Sequence, residues 1–290
     1  MVRLILTHPG GAHKDDALAA CVLAATHQVP IVRRNPTPEE LADPLVAIVD
    51  IGGSDDAALQ NFDHHQYPAD HPPTCALSLV LMRLGLYEDA LQFCEWLPTA
   101  EWFDSRGPNR TADWLGVPRK VIAKLHSPID ITLMRRFSAA SELRPGETLY
   151  EFMKMIGEDL IDYLTSIRTQ IEEVAGKVEH WTLSSADEPF QAVFLPRVEP
   201  IPAEPSGALM AYIRDRKLSA TTAAIVYPDR RGSGYGLTRY DDHPQLDFRQ
   251  VSAEPDVRFA HASGFVCKTE AQKPARLQEL LIQAWIPQQT

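Results

Sequence analysis

Eight side chains within the first 104 residues mix imidazole with carboxylate: His8, His13, Asp15, Asp50, Asp63, His64, His65 and Asp104. That mixture suits divalent transition metals such as Mn, Fe, Co or Zn better than Ca, which takes oxygen ligands. Eight candidates exceed the ligands of one tetrahedral zinc, so the pattern points to two ions about 3.5–4 Å apart. Paired ions of this kind activate water at neutral pH and neutralise charge growing on phosphate oxygens. Each cluster taken alone has a plainer reading. Asp15 or Asp16 could cap a helix beside two solvated histidines, and Asp63 to His65 could be a surface strand. Their coincidence within one α/β pattern favours chemistry.

The elements around these residues must bring them together. The run Val2 to Leu6, closed by Thr7 and a Pro-Gly-Gly turn, predicts a buried parallel strand. From Ala17 the residues Leu18, Ala19, Cys21, Val22, Leu23 and Ala25 predict a helix, with Asp15 and Asp16 at its N-terminal end, where carboxylates are favoured. Leu45 to Ile51, LVAIVDI, is a second buried-strand run that carries Asp50 just before Gly52 and Gly53. If the two strands are neighbours, Asp50 and the His8 loop share the carboxyl edge where open α/β sheets bind ligands. On extended backbone, Asp63 and His65 face one way and His64 the other. Asp104 follows a helix-like stretch in PTAEWFDSRG and precedes a glycine-containing loop.

The remainder reads as a connector and a second lobe. Apolar residues from Leu149 to Val174, including Phe152, Met153, Tyr163 and Leu164, recur every three or four positions and predict one long amphipathic helix from Thr148 to about Gly176. Strand-like runs follow at EHWTLSS, FQAVFLP, TTAAIVYP and YGLTRY, with helices at 206–217 and 271–285. The expected division is 1–145, a connector at 146–178, and a smaller α+β lobe at 179–290. The 290-residue chain carries a net charge of −11, which disfavours an indiscriminate binder of long nucleic acid. From Ser206 to Arg276 the balance reverses locally, with 11 Lys plus Arg against 8 Asp plus Glu. No apolar run approaches the roughly 20 residues of a membrane span. The four scattered cysteines and a first strand starting at Val2 predict a reduced, cytoplasmic protein without a disulfide framework.

The motifs Thr7-His8-Pro9-Gly10-Gly11-Ala12-His13-Lys14-Asp15-Asp16-Ala17-Leu18-Ala19 and Phe62-Asp63-His64-His65-Gln66 resemble those of the DHH phosphoesterase superfamily. That superfamily includes RecJ-type exonucleases, small-nucleotide phosphodiesterases and manganese inorganic pyrophosphatases. The resemblance narrows to the melanocyte-proliferating-gene family, whose closing HAxxF-type segment is matched by RFAHASGFVCKTE, Arg258 to Glu270. Asp104-Ser105 departs from the family's Asp-Asn-Gly, and Ala12 and Lys14 replace its usual Phe and Cys.

The resemblance implies an N-terminal α/β DHH domain with a mainly parallel sheet, the connector helix, and an active site in the cleft between the lobes. It implies that His8 and His13 hold one metal ion and that Asp15, His64 and Asp104 hold a second. His13 then replaces an aspartate common in the superfamily. Asp50 would bridge the ions, His65 would face the substrate phosphate, and Asp63 would orient its neighbours. His261 would contact substrate from the second lobe, with Ser263, Gly264 and Arg239 as weaker candidates; a histidine at that strand end is otherwise commonly structural. Two divalent ions are expected, with Mn2+ first and Co2+, Zn2+ or Mg2+ as alternatives. The expected activity is exonuclease-like hydrolysis of a phosphodiester in a short single-stranded nucleic acid or small phosphorylated nucleotide. Two rivals stand beside it. HPGGAHKDD loosely resembles the HPDD motif of single-zinc N-acetyl sugar deacetylases, which leaves DHH at 63–65 without a reason. The other rival is a non-catalytic nucleotide-binding regulator.

Overall fold

The computed structural model describes residues 2–124, 127–185 and 188–287. The chain divides into two compact units, Met1–Thr165 and Ser166–Thr290. In the first, the opening apolar run forms strand β1 (Leu4–Thr7), which leads through a loop into helix α1 (Lys14–His27) and then β2 (Ile31–Arg33). A helical turn, α2 (Pro38–Leu41), precedes β3 (Val46–Val49), β4 (Asp55–Asp56) and β5 (Asn61–Phe62). Five helices follow: α3 (Ala76–Arg83), α4 (Tyr87–Phe93), α5 (Trp96–Trp114), α6 (Arg119–Ala123) and α7 (Pro128–Ala139). Strand β6 (Glu142–Leu143) then closes a six-stranded sheet of order β4-β5-β3-β1-β2-β6.

The sheet is mainly parallel: β2, β1, β3 and β5 run together, while β4 and β6 add antiparallel edges. Parallel strands covered by helices are buried on both faces, which is why Val46, Ala47, Ile48 and Val49 are all fully buried. The register sets Thr7 opposite Val49, so His8 and Asp50 leave their strands at the same level. Strand adjacency, which the sequence left conditional, is thereby met.

Helix α8 (Thr148–Ala175) agrees with the expected periodicity, and the division between the units falls within it. Gly157 has a steric reason, because a Cβ there would collide with the Cys21 carbonyl group of α1. Tyr150, Met153 and Leu164 are buried, whereas Phe152 and Tyr163 of the expected stripe are exposed.

The second unit holds a sheet of order β11-β12-β10-β9-β8-β7, from β7 (Glu179–Ser185), β8 (Glu188–Phe194), β9 (Thr222–Pro228), β10 (Tyr235–Arg239), β11 (Val257–Ala260) and β12 (Val266–Thr269). Only the β8–β9 pair in it is parallel, joined through helix α9 (Pro205–Asp215). Helix α10 (Pro274–Gln283) buries Leu277, Leu280 and Leu281 among Trp181, Leu183 and Phe190. Its start is later than the expected Ala271, since Pro274 occupies the first turn, where a missing N–H costs nothing. All four cysteines are free and buried. No helix among the described residues is long and apolar enough to cross a membrane.

Candidate metal centre

The carboxyl edge of the first sheet and two helices supply the site. His8 follows β1, and its Nδ1 lies 3.0 Å from the Pro9 carbonyl oxygen. A carbonyl only accepts, so Nδ1 carries a proton, while Nε2 faces the Asp16 and Asp50 carboxylates, which raise this imidazole, and is the nitrogen that a metal ion could take. His13 precedes α1 and is exposed, whereas Asp15 and Asp16 in the first helical turn are buried. Asp50 follows β3 with φ 57°, a left-handed conformation that Asp and Asn tolerate better than most residues. Asp63 and His64 follow β5.

Two expectations are corrected here. Asp104 is not at a loop or strand end. It lies inside α5, and the chain breaks from helical geometry only at Gly107, with φ 74° and ψ 167°. Nor do His64 and His65 point apart as an extended backbone requires. Strand β5 ends at Phe62 and a turn begins at His65, which leaves the two rings 4.5 Å apart.

These residues meet around Asp50. His64 Nε2 is 3.1 Å from Asp50 Oδ1 and 2.8 Å from Asp104 Oδ2. His8 Nε2 is 3.5 Å from Asp50 Oδ2, and His13 Nδ1 is 3.6 Å from Asp104 Oδ1. Three sets of potential ligand atoms each fall within 4.8 Å: His8, His13 and Asp50; Asp50, His64 and His65; and Asp15, Asp50, His64 and Asp104. Asp50 is common to all three. Asp63 sits to one side, accepting from the Gly53 N–H at 2.6 Å and from His65 Nδ1 at 2.7 Å.

The electrostatics suit a cation. Burial alone would lower the His64 imidazole, but its hydrogen bonds to Asp104 and Asp50 carry it up to about 10. Burial raises Asp50 against the opposing pull of His64. Asp15 stands well above the usual carboxylate range, first through burial and then through Asp50, Asp104 and Asp16. Neither of its oxygens receives a hydrogen bond from a donor, and its raised carboxyl has the Asp104 carboxylate as the acceptor for its proton. Burial would also raise Asp104 and Asp63, yet hydrogen bonds, with His64 for the first and from the His65 and Gly53 amides for the second, keep both low. A buried carboxyl that no donor reaches and an imidazolium proton held between two others are what a divalent ion would satisfy and displace.

That carboxyl yields a stability test. Asp15→Asn in chelator-treated protein is expected to raise unfolding stability by about 1–3 kcal/mol, the cost of an unsatisfied buried group. The native carboxyl is raised above its unfolded value, so its contribution is fully present below about pH 4 and lost as pH rises through the native value. The gain from Asn therefore shrinks on acidification. Urea midpoints at pH 7 and pH 4 check both; a destabilised variant at pH 7 would sink the argument.

Sequence reasoning named Asp16 only as a possible helix cap, which it is, and passed over Arg33. Asp16 accepts from the His13 N–H at 2.8 Å and lies 3.3 Å from both Thr7 Oγ1 and His8 Nε2. It caps the helix and orients the histidine loop together. Arg33, ending β2, is buried with its guanidinium 3.6 Å from Asp16 and donates to the Gly10 and Phe137 carbonyls. Its signal was a cation closing an apolar strand on the edge that carries Thr7.

The remaining candidates lie in the second unit. His261 lies in the turn after β11, where its Nδ1 accepts from the Ser263 N–H at 3.0 Å, so Nε2 carries the proton. Its ring is 4.4 Å from Phe265. Gly264, at φ 70°, leaves no room for a side chain, since a Cβ would collide with the Asp247 carboxylate. Its N–H donates to the His261 carbonyl within the turn, and its carbonyl accepts from the Phe248 N–H. Arg239 pairs with Asp242.

Residues 4–73 match the family model described as MYG1_exonuc, Uncharacterised protein family (UPF0160), so the N-terminal segment is MYG1-like over both specific motifs. No curated protein matches the chain. Among solved structures, a DHH-domain protein described as a member of a family of ribosomal proteins is 14% identical, with a TM-score of 0.33, over 97% of this chain and 85% of its own. RecJ from Thermus thermophilus, solved in complex with Mn2+, is 17% identical, with a TM-score of 0.28, over 97% of this chain and 52% of its own.

Proposed function

We propose that this cluster holds two divalent ions, Mn2+ foremost, and that the protein is a metal-dependent phosphoesterase. Its substrate would be a phosphodiester in a short nucleic acid or small nucleotide. The observation that carries the reading is the position of Asp50, whose carboxylate belongs both to the set with His8 and His13 and to the set with Asp15, His64 and Asp104, each with its ligand atoms within 4.8 Å of one another. The first set with Asp50 would hold one ion and the second set with Asp50 the other. When bound, such ions supply an activated water and neutralise phosphate charge.

The chain's own groups have separate work. The Pro9 carbonyl sets the His8 ring, and Asp16, through Thr7 Oγ1 and the His13 N–H, fixes the loop that carries both histidines. Asp63, kept ionised, holds His65 through Nδ1 and leaves Nε2 to meet a substrate oxygen. The rival single-zinc deacetylase uses one metal set and has no task for Asp15, His64 and Asp104 together.

Metal analysis and a substrate screen separate the readings. The expected result is two ions per chain and Mn2+-dependent hydrolysis of bis-p-nitrophenyl phosphate. One zinc with release of acetate from an N-acetyl sugar would favour the deacetylase. Nucleotide binding without turnover or metal would favour a regulator.

A further inference from the structure

His64 and Asp104 also form one end of a pocket of about 170 Å3, whose other wall carries Tyr67, His71, Ser105 and Arg106. The wall is braced before any ligand arrives. The Tyr67 ring stacks on His71 with centroids 4.0 Å apart and planes 12° apart, and the Tyr67 hydroxyl donates to Asp55. His71 Nδ1 donates to the Pro72 carbonyl at 2.8 Å, and Arg106 donates to the His71 carbonyl. That single bond holds the guanidinium at the pocket, and its remaining N–H groups have no partner among the described residues. A half-buried arginine fork beside a carboxylate cluster, yet paired with none of its members, is arranged for an anion from outside.

A second observation agrees. In a chain of net charge −11, the segment from Arg106 to Arg136 carries seven Lys plus Arg against two Asp, Asp113 and Asp130. None of those seven cations forms an ion pair among the described residues. Arg106 therefore opens a locally basic stretch of an otherwise acidic chain.

We propose that this pocket holds the phosphate next to the reacting one, so that the substrate carries at least two phosphates in series. Arg106 is its principal contact. The inference rests on the His8–Asp104 cluster being the phosphoesterase centre, and it makes Arg106 a positioning residue for chain-like substrates rather than part of the reacting machinery.

The test compares dinucleotides, which have one phosphodiester, with trinucleotides, which have two, in both uridine and thymidine series. The Mn2+-loaded protein is expected to prefer the trinucleotide by about tenfold to a hundredfold in kcat/KM, the worth of one charge-assisted contact. Arg106→Ala brings that ratio close to one, and Arg106→Lys, which keeps the charge but loses the fork, retains part of it. Calorimetric titration with the N3′→P5′ phosphoramidate dimer and trimer, which keep their charges and resist cleavage, repeats the comparison without turnover. If no substrate is hydrolysed, the phosphoesterase reading fails, while the titration still judges the pocket. Equal binding of dimer and trimer by the unaltered protein overturns the inference, as does an equal loss on both in Arg106→Ala.

Discussion

Asp50→Asn is expected to lower kcat/KM on bis-p-nitrophenyl phosphate by about a thousandfold or more and to reduce bound metal in both ligand sets. The reason is positional. Asp50 Oδ1 lies 3.1 Å from His64 Nε2, and Oδ2 lies 3.5 Å from His8 Nε2, so one carboxylate serves both sides of the centre. Losing a group that acts at two charges at once exceeds the loss of a single stabilising donor, itself worth about 10²–10³. Asparagine is the informative replacement because it tolerates the φ of 57° that Asp50 adopts, which alanine does less readily. Burial raises the Asp50 carboxyl, so removing its charge should leave the metal-free fold intact. Metal content by mass spectrometry, with circular dichroism beside it, checks the prediction. Turnover within tenfold of the parent with two ions still bound would remove Asp50 from its bridging place.

The second large effect concerns metal removal. Chelation should abolish activity, and refilling should depend steeply on pH. In the metal-free protein the His64 proton is held by Asp104 and Asp50, with the imidazole pushed up to about 10. A metal ion must displace that proton, so apparent affinity rises about tenfold per pH unit between pH 6.5 and 9 for each proton released. Calorimetric titrations in buffers of different ionisation enthalpy count those protons. The stability sign follows from the same shift. The native imidazole is raised above its unfolded value, so its contribution is fully present below about pH 6.5 and lost as pH rises through about 10. Chelated protein should therefore lose this contribution between those values, while the loaded protein, whose His64 carries no such proton, should not. Loading at 100 times Kd adds about 2.7 kcal/mol at 25 °C. A pH-independent metal affinity would mean that His64 is not a ligand.

The composition of the centre was legible because residue type and short spacing carry it. THPGGAHKDD and FDHHQ place imidazoles and carboxylates directly after apolar runs, and a short apolar run bounded by turn residues reads as a buried strand wherever it falls. The long helix from Thr148 and the strands from Glu179 to Arg239 were legible for the same local reason. Asp104 was legible as a residue but not as part of a helix, since Trp96 and Phe103 on α5 are exposed and blur its apolar stripe. The turn that brings His65 back beside His64 was hidden because β5 is only two residues long, too short for alternation to persist. Arg33, Arg106 and the contacts of Asp16 beyond its helix cap lay outside sequence reasoning for a different reason. Their partners are set by strand order and helix placement, through which β1 lies between β3 and β2, and α5 delivers Asp104 to a histidine forty residues earlier. Local periodicity says what each segment becomes. Which carboxylates share an ion depends on how the buried faces of distant segments pack, and no spacing along the chain encodes that distance.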